Sequence, residues 1–142
     1  MIRKISIKDK ENWKKLYKGY ADFYKSPIKD KILDTVWGWL MDENHEVKGI
    51  VYEIDGNLAA LAHYRAMPRP LKGKYIGFLD DLYVDATYRN QKIGLKMMDE
   101  IKVISKSERW DLVRWITRQD NIKAKSLYDK ISEKTNWEVY EM

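Results

Sequence analysis

No cysteine occurs in the 142 residues. Disulfide bracing is therefore excluded, and so is a thiolate nucleophile or a covalent acyl carrier of the protein's own. A cysteine-free chain suits a reducing compartment, and a cytoplasmic location is expected. No run approaches the roughly 20 apolar residues of a membrane span. The start, MIRKISIKDK, has no apolar signal core. No membrane association is expected, and no metal site. Charge of one sign is not concentrated: 27 Lys and Arg are interleaved with 22 Asp and Glu, net +5. No helix carries a dense basic stripe, so nucleic-acid binding is not expected as the primary function. The positive field would still favour a small polyanionic ligand.

What the chain does carry is aromatic side chains, ten Tyr and six Trp, which suggests aromatic core and cleft walls. At this length a single domain over residues 1–142 is expected, burying roughly 68–70% of its unfolded surface. Ile2, Ile5 and Ile7 read as a first strand. Residues 8–24 form a helix with Trp13, Leu16, Tyr17, Tyr20 and Tyr24 on one face. Most of these are expected in the core, a minority along a substrate cleft. Ser26-Pro27 offers an N-cap and a first-turn proline for a second helix running to about Met41, with Ile28, Ile32, Val36, Trp39 and Leu40 inward. Strands follow at 47–54 and 58–67, joined by the turn signal Asp55-Gly56. Residues 68–73 are a loop and 75–84 the next strand. After a helix ending near Glu108 come a strand at 112–117, a loop at 119–121, a helix at 122–132 and a last short strand at 137–140. The order β-α-α-β-β-β-α-β-α-β predicts an α+β fold, a mixed and mostly antiparallel sheet with helices on both faces.

The centre of this pattern is Phe78 to Met98, FLDDLYVDATYRNQKIGLKMM. A strand ends at Val84, a loop follows, and a helix opens with Ile93, Met97, Ile101 and Ile104 at helical spacing. Such a junction presents unpaired N–H groups and a positive dipole end, which is a phosphate site. Gly94 permits close backbone approach, and Arg89 offers a planar fork to phosphate oxygens.

This stretch resembles motif A of the GNAT superfamily of acetyl-CoA-dependent N-acetyltransferases, Arg/Gln-x-x-Gly-x-Gly/Ala, written here Arg89-x-x-Lys92-x-Gly94 with lysine in place of the first glycine. Asp-Asp-Leu-Tyr-Val before the loop and Tyr88-Arg89 at its mouth are similar to the spermidine/spermine and small-amine branch. Asn121-x-x-Ala124-x-x-x-Tyr128 resembles motif B, and the two polar residues lie seven apart on one helix face. The element order is also that of the GNAT fold. One departure is the short stretch 130–142, which lacks the usual two closing strands. A partner completing the sheet, hence a homodimer, is one way to meet that.

The resemblance implies acetyl-CoA as co-substrate. Asn90, Gln91, Lys92, Ile93, Gly94 and Leu95 would cradle its pyrophosphate, with Arg89 adding its side chain. The backbone of Leu82, Tyr83 and Val84 would pair with pantetheine, Asn121 would contact the cofactor, and Tyr128 would point at its sulfur and protonate the leaving thiolate. Asp80 stands where polyamine acetyltransferases carry a glutamate and is the chosen base, through a water. Strand alternation places Asp80 and Asp81 on opposite faces. Asp81, Glu53 and His63 are the other base candidates, His63 more simply a packed strand histidine. The implied reaction is acetyl transfer to a primary amine by direct attack in a ternary complex, with a small acceptor such as a polyamine or amino acid. A protein lysine or N-terminal amine, or acyl-CoA binding without turnover, remain alternatives.

Overall fold

The computed structural model describes residues 1–142. Five strands form one sheet in sequence order: β1 (Ile2–Lys4), β2 (Lys48–Ile54), β3 (Asn57–Arg69), β4 (Lys74–Val84) and β5 (Val113–Arg114). The first four are antiparallel to their neighbours, and β5 joins β4 in parallel. Helices α1 (Lys10–Phe23) and α2 (Asp30–Met41) cover one face, and α3 (Ile93–Ser107) and α4 (Ile122–Ile131) the other. This is the α+β mixed sheet that the sequence predicts.

Each face has its own core. Trp13, Leu16, Leu33, Trp37, Val51, Leu58 and Leu61 pack under α1 and α2. Ile50, Ala60, Ala62, Leu79, Ile93, Met97 and Ile101 pack under α3. The alanine run on β3 keeps the sheet surface low, so that α3 lies close to it. No helix is long and apolar enough to cross a membrane.

Four local expectations are corrected. Ile7 leaves the first strand and sits exposed in a 3-10 turn, Ile7–Asp9, because Ser6 and Asp9 close a capping box there. Helix α2 begins at Asp30 rather than Pro27, and it buries Leu33 and Trp37 while Ile32 and Trp39 stay exposed. Its apolar circumference is wide, and contact with Trp13 (rings 5.3 Å apart) selects Trp37. Strand β5 pairs over two residues, not six. Residues 137–140 form no strand: Trp137, Val139 and Tyr140 are exposed, since no neighbouring edge meets them and a short strand cannot stand without one.

The amino-terminal corner is held by a charge cluster. Arg3 grips Asp9 with two bonds of 2.7 and 2.8 Å and reaches Glu53 at 3.1 Å. Glu53 is thus a structural ion-pair partner, separated from β4 by the whole of β3. The Arg3 guanidinium, opposed by burial, holds the Asp9 carboxyl down at about 2. Because the folded value lies below the unfolded one, the pair stabilises the fold above the usual carboxylate range and loses that effect as pH falls from about 4 to 2. Urea midpoints are expected to fall across that window by about 2 kcal/mol in stability, and an Asp9→Asn variant should lose the Asp9 share of that slope.

Candidate active site

The end of β4 and the start of α3 are joined by a loop that turns its amides outward. The Asp85 carboxylate accepts from the Thr87 N–H at 2.9 Å and seats a 3-10 turn, Ala86–Tyr88. Arg89 is extended, Asn90 and Lys92 are left-handed (φ 65° and 59°), and α3 begins at Ile93. After the Arg89 amide, which donates to the Ala86 carbonyl at 3.4 Å, the next amide with an acceptor in the chain is that of Lys96, on the Lys92 carbonyl at 3.1 Å. The amides of Asn90 to Leu95 have none. Orphan N–H groups, left-handed turns and a helix dipole together make an anion cradle.

Lys92 stands at a left-handed position, which costs a non-glycine residue about 1–2 kcal/mol. That strain is why the motif prefers glycine there. Gly94, by contrast, has room: a methyl group would sit 3.7 Å from Leu127 and 3.9 Å from Val84. Nothing in the chain itself requires glycine at that position. Lys123 of α4 reaches the Asn90 side chain at 3.3 Å and brings a cation to the rim, a contribution that motif spacing does not reveal. The Arg89 side chain turns away from the amides. Its Nε donates to the Val84 carbonyl at 3.2 Å, and its guanidinium lies over Phe23 and Tyr83.

Beyond this loop the sheet splits. Strand β4 pairs with β5 only at Gly77 and Phe78. From Leu79 to Val84 its β5-facing edge has no strand partner; Leu82 and the Val84 N–H turn toward that edge, and the Val84 carbonyl is held by Arg89. The cause is a β-bulge. His63 pairs with Asp81 and Tyr64 with Leu79, which leaves Asp80 as an extra residue on β4. On the far side of the split, Trp115 packs edge-on against Tyr128 at 5.3 Å. The Tyr128 hydroxyl takes no hydrogen bond within the chain and is not sealed from solvent. Burial of the ring, reinforced by Tyr24, pushes its pKa up to about 12. Asn121 opens α4 without capping it; its amide donates to Tyr24 at 3.3 Å and Thr117 at 3.4 Å.

The bulge also corrects the placement of the two aspartates. Leu79 and Leu82 both enter the core under α3, so Asp80 and Asp81 lie together on the α1 side. Asp80 pairs with Arg65 at 3.0 Å, each about a third exposed, and Arg65 also covers the Phe78 ring. Asp81 is deeper. Its Oδ2 accepts from Tyr17 at 2.9 Å and contacts His63 Nδ1 at 2.8 Å, with the Tyr20 hydroxyl turned to the same carboxylate. Burial works to raise its pKa and is outweighed by His63 and the two phenols, so the carboxyl stays ionised below its usual range. The same burial, with the Asp81 charge, raises Tyr17 and Tyr20. His63 is fully buried and accepts from the Trp13 indole at 3.0 Å.

Helix α1 supplies the wall opposite. Tyr17, Tyr20 and Tyr24 stack in series along it. Gly19 lets Tyr83 press against the helix; a methyl there would fall 2.9 Å from the Tyr83 hydroxyl. Three tyrosines on one face, where a simple core helix would carry Leu or Ile, are the signal for this wall. The result is an acidic cluster faced by phenols on the α1 side of β4, beside a split strand edge and next to an anion cradle.

Residues 13–132 match the acetyltransferase (GNAT) family. The chain belongs to the GNAT family. It is 25% identical over 142 residues to the D-amino-acid N-acetyltransferase HPA3 of Saccharomyces cerevisiae, covering 99% of this chain and 88% of that protein. The fold superposes on a ribosomal-protein-alanine N-acetyltransferase from Brucella melitensis with TM-score 0.84 at 19% identity, over 100% of this chain and 96% of the other. It superposes on a possible acetyltransferase from Clostridium difficile with TM-score 0.87 at 23% identity, over 100% and 95%. GNAT enzymes draw their acetyl group from acetyl-CoA, so this chain is an acetyltransferase with acetyl-CoA as co-substrate and an amine as acceptor. Its orphan amides and open strand edge are donor sets suited to a diphosphate and to the amides of pantetheine.

Proposed function

We propose that this enzyme acetylates a small primary amine, an amino acid before a polyamine, by direct attack on acetyl-CoA in a ternary complex. The observation that carries the reading is the bulge at Asp80. It turns both carboxylates to the α1 side of the sheet, Asp81 against Tyr17 and Tyr20 and Asp80 beside Arg65, where β4 parts from β5. Asp81 would hold the acceptor's ammonium, with Tyr17 and Tyr20 keeping its carboxylate in place. Arg65, at the same mouth, suits the carboxylate of an amino acid and repels the second cation of a polyamine. The yeast relative, a D-amino-acid N-acetyltransferase, supports the same choice.

The chemistry needs a neutral amine. An alkylammonium has a pKa near 10.4, so deprotonation at pH 7 costs about 4.6 kcal/mol. In this reading Asp80 receives that proton through a water. The nitrogen lone pair then attacks the thioester carbon, the carbon–sulfur bond breaks, Tyr128 gives its proton to the departing sulfur, and the second proton shed by the nitrogen as the amide forms returns through water to the Tyr128 phenolate. No covalent acetyl-enzyme is required. A thiol-release screen over amino acids of both hands, polyamines and lysine peptides tests it. Turnover is expected with free amino acids. Turnover with peptides alone would overturn the small-acceptor reading, and binding of acetyl-CoA without turnover on any amine would overturn the catalytic one.

The cradle has its own test. Gly94→Ala, at the second residue of a helix with room for a methyl, is expected to hold or raise stability by about 0.5–1 kcal/mol. CoA affinity should fall about tenfold, equal to about 1.4 kcal/mol, because the methyl intrudes on the diphosphate. Lys92→Gly should be close to neutral in stability and lose affinity mainly at low salt. Calorimetric titration of CoA against both variants decides; unchanged affinity in each would place the diphosphate elsewhere.

A further inference from the structure

His63 is enclosed by groups that fix its protons. The indole N–H of Trp13 can only donate, and it points at His63 Nε2 from 3.0 Å. That nitrogen must therefore present its lone pair. On the other side Nδ1 lies 2.8 Å from Asp81 Oδ2. An ionised carboxylate can only accept, so Nδ1 carries the hydrogen. An imidazolium would aim an N–H at the indole N–H, in a site where Trp13 is 0% and His63 1% exposed. No solvent is at hand to relieve that opposition.

The consequence lies at Asp81. His63 gives it a hydrogen bond but no positive charge, and so do Tyr17 and Tyr20. Among the groups facing this cluster, α1 contributes Trp13, Tyr17 and Tyr20, β4 contributes Asp80 and Asp81, and β2 only Gly49 opposite His63. The one cation nearby, Arg65 on β3, is committed to Asp80. Asp81 remains a fixed anion, its side chain 16% exposed, with its Oδ1 outside both short contacts.

We propose that Trp13 is a positioning residue that locks His63 in its neutral Nδ1–H form and thereby reserves the charge of Asp81 for the ammonium group of the acceptor. This rests on the reading above that Asp81 meets the acceptor; the proton assignment at His63 stands apart from it and can be measured on the substrate-free protein.

With only two histidines in the chain, a His45→Gln background leaves one imidazole to observe by nitrogen-15 NMR. His63 is expected to show the neutral Nδ1–H pattern. Trp13→Phe in that background removes the donor that holds Nε2 as an acceptor, so a second proton there is no longer opposed. In that variant KM for the amine should rise about tenfold, while KM for acetyl-CoA holds. Where Trp13→Phe does not fold, His63→Gln serves, since glutamine carries one donor and one acceptor; it should keep kcat and the amine KM within about threefold. A His63 that carries both hydrogens in the parent, or that bears its single hydrogen on Nε2, overturns the lock, as does a hundredfold loss in His63→Gln. The expected NMR pattern with an amine KM indifferent to Trp13→Phe overturns the link to Asp81 and leaves the acetyl-transfer reading intact.

Discussion

Tyr128→Phe is expected to lower kcat about 10²- to 10⁴-fold, the range that a lost general acid spans, with little change in KM for acetyl-CoA. In the proposed mechanism the ring does the packing and the hydroxyl does the chemistry. Phenylalanine keeps the edge-on contact with Trp115 and so keeps the wall of the split. It loses the one hydroxyl there that has no partner in the chain. Burial holds that phenol protonated, its pKa pushed up to about 12, so it remains a donor throughout the neutral range. The wild-type rate should accordingly show no downturn from this group below about pH 10. Stability should change by under about 1 kcal/mol, since no intramolecular hydrogen bond is removed. Steady-state kinetics with a thiol-detecting assay reads both constants. A kcat within threefold of wild type would remove Tyr128 from the mechanism.

Asp80→Asn is expected to reduce kcat/KM for the amine by a similar 10²- to 10⁴-fold, and Asp81→Asn to act differently. Asparagine matches aspartate in shape and cannot take a proton. At position 80 the substitution removes the proposed proton acceptor and breaks a pair with Arg65 that is about a third exposed on each side. Such a pair contributes about 0–1 kcal/mol, so the fold should survive and the loss should be kinetic. At position 81 the change removes an anion that three donors surround. The main result should be a higher amine KM, together with a stability loss of about 1–3 kcal/mol from the mismatched donors. Equal kcat losses at both positions, with no change in amine KM, would contradict the division into base and anchor. Full activity of Asp80→Asn at every pH would assign deprotonation to solvent.

The parts of this enzyme written in local pattern are the ones that sequence alone determined. Alternation in residues 47–54 and 58–67 with Asp55-Gly56 between them specifies a hairpin, and the strand–loop–helix from Phe78 to Met98 specifies an amide cradle. In each case the partners lie within a few residues, so one stretch of chain contains the whole cause. The tyrosines on α1 were visible in the same way, though not what they face. Tertiary structure decided the rest. The extra residue at Asp80 comes from registering β4 against β3, so that Leu79 and Leu82 both reach the core under α3. Alternation counted along β4 alone puts the two aspartates on opposite faces, whereas the pairing brings them to one. Trp13, His63 and Asp81 meet across 50 and 18 residues, and no periodicity spans such distances. Residues 137–140 have a strand's composition and no strand, because pairing needs an edge that their own order of residues cannot supply. Local propensity sets which shapes a segment can take; burial and hydrogen bonding between distant segments select among them, and here that selection built the cluster around Asp81.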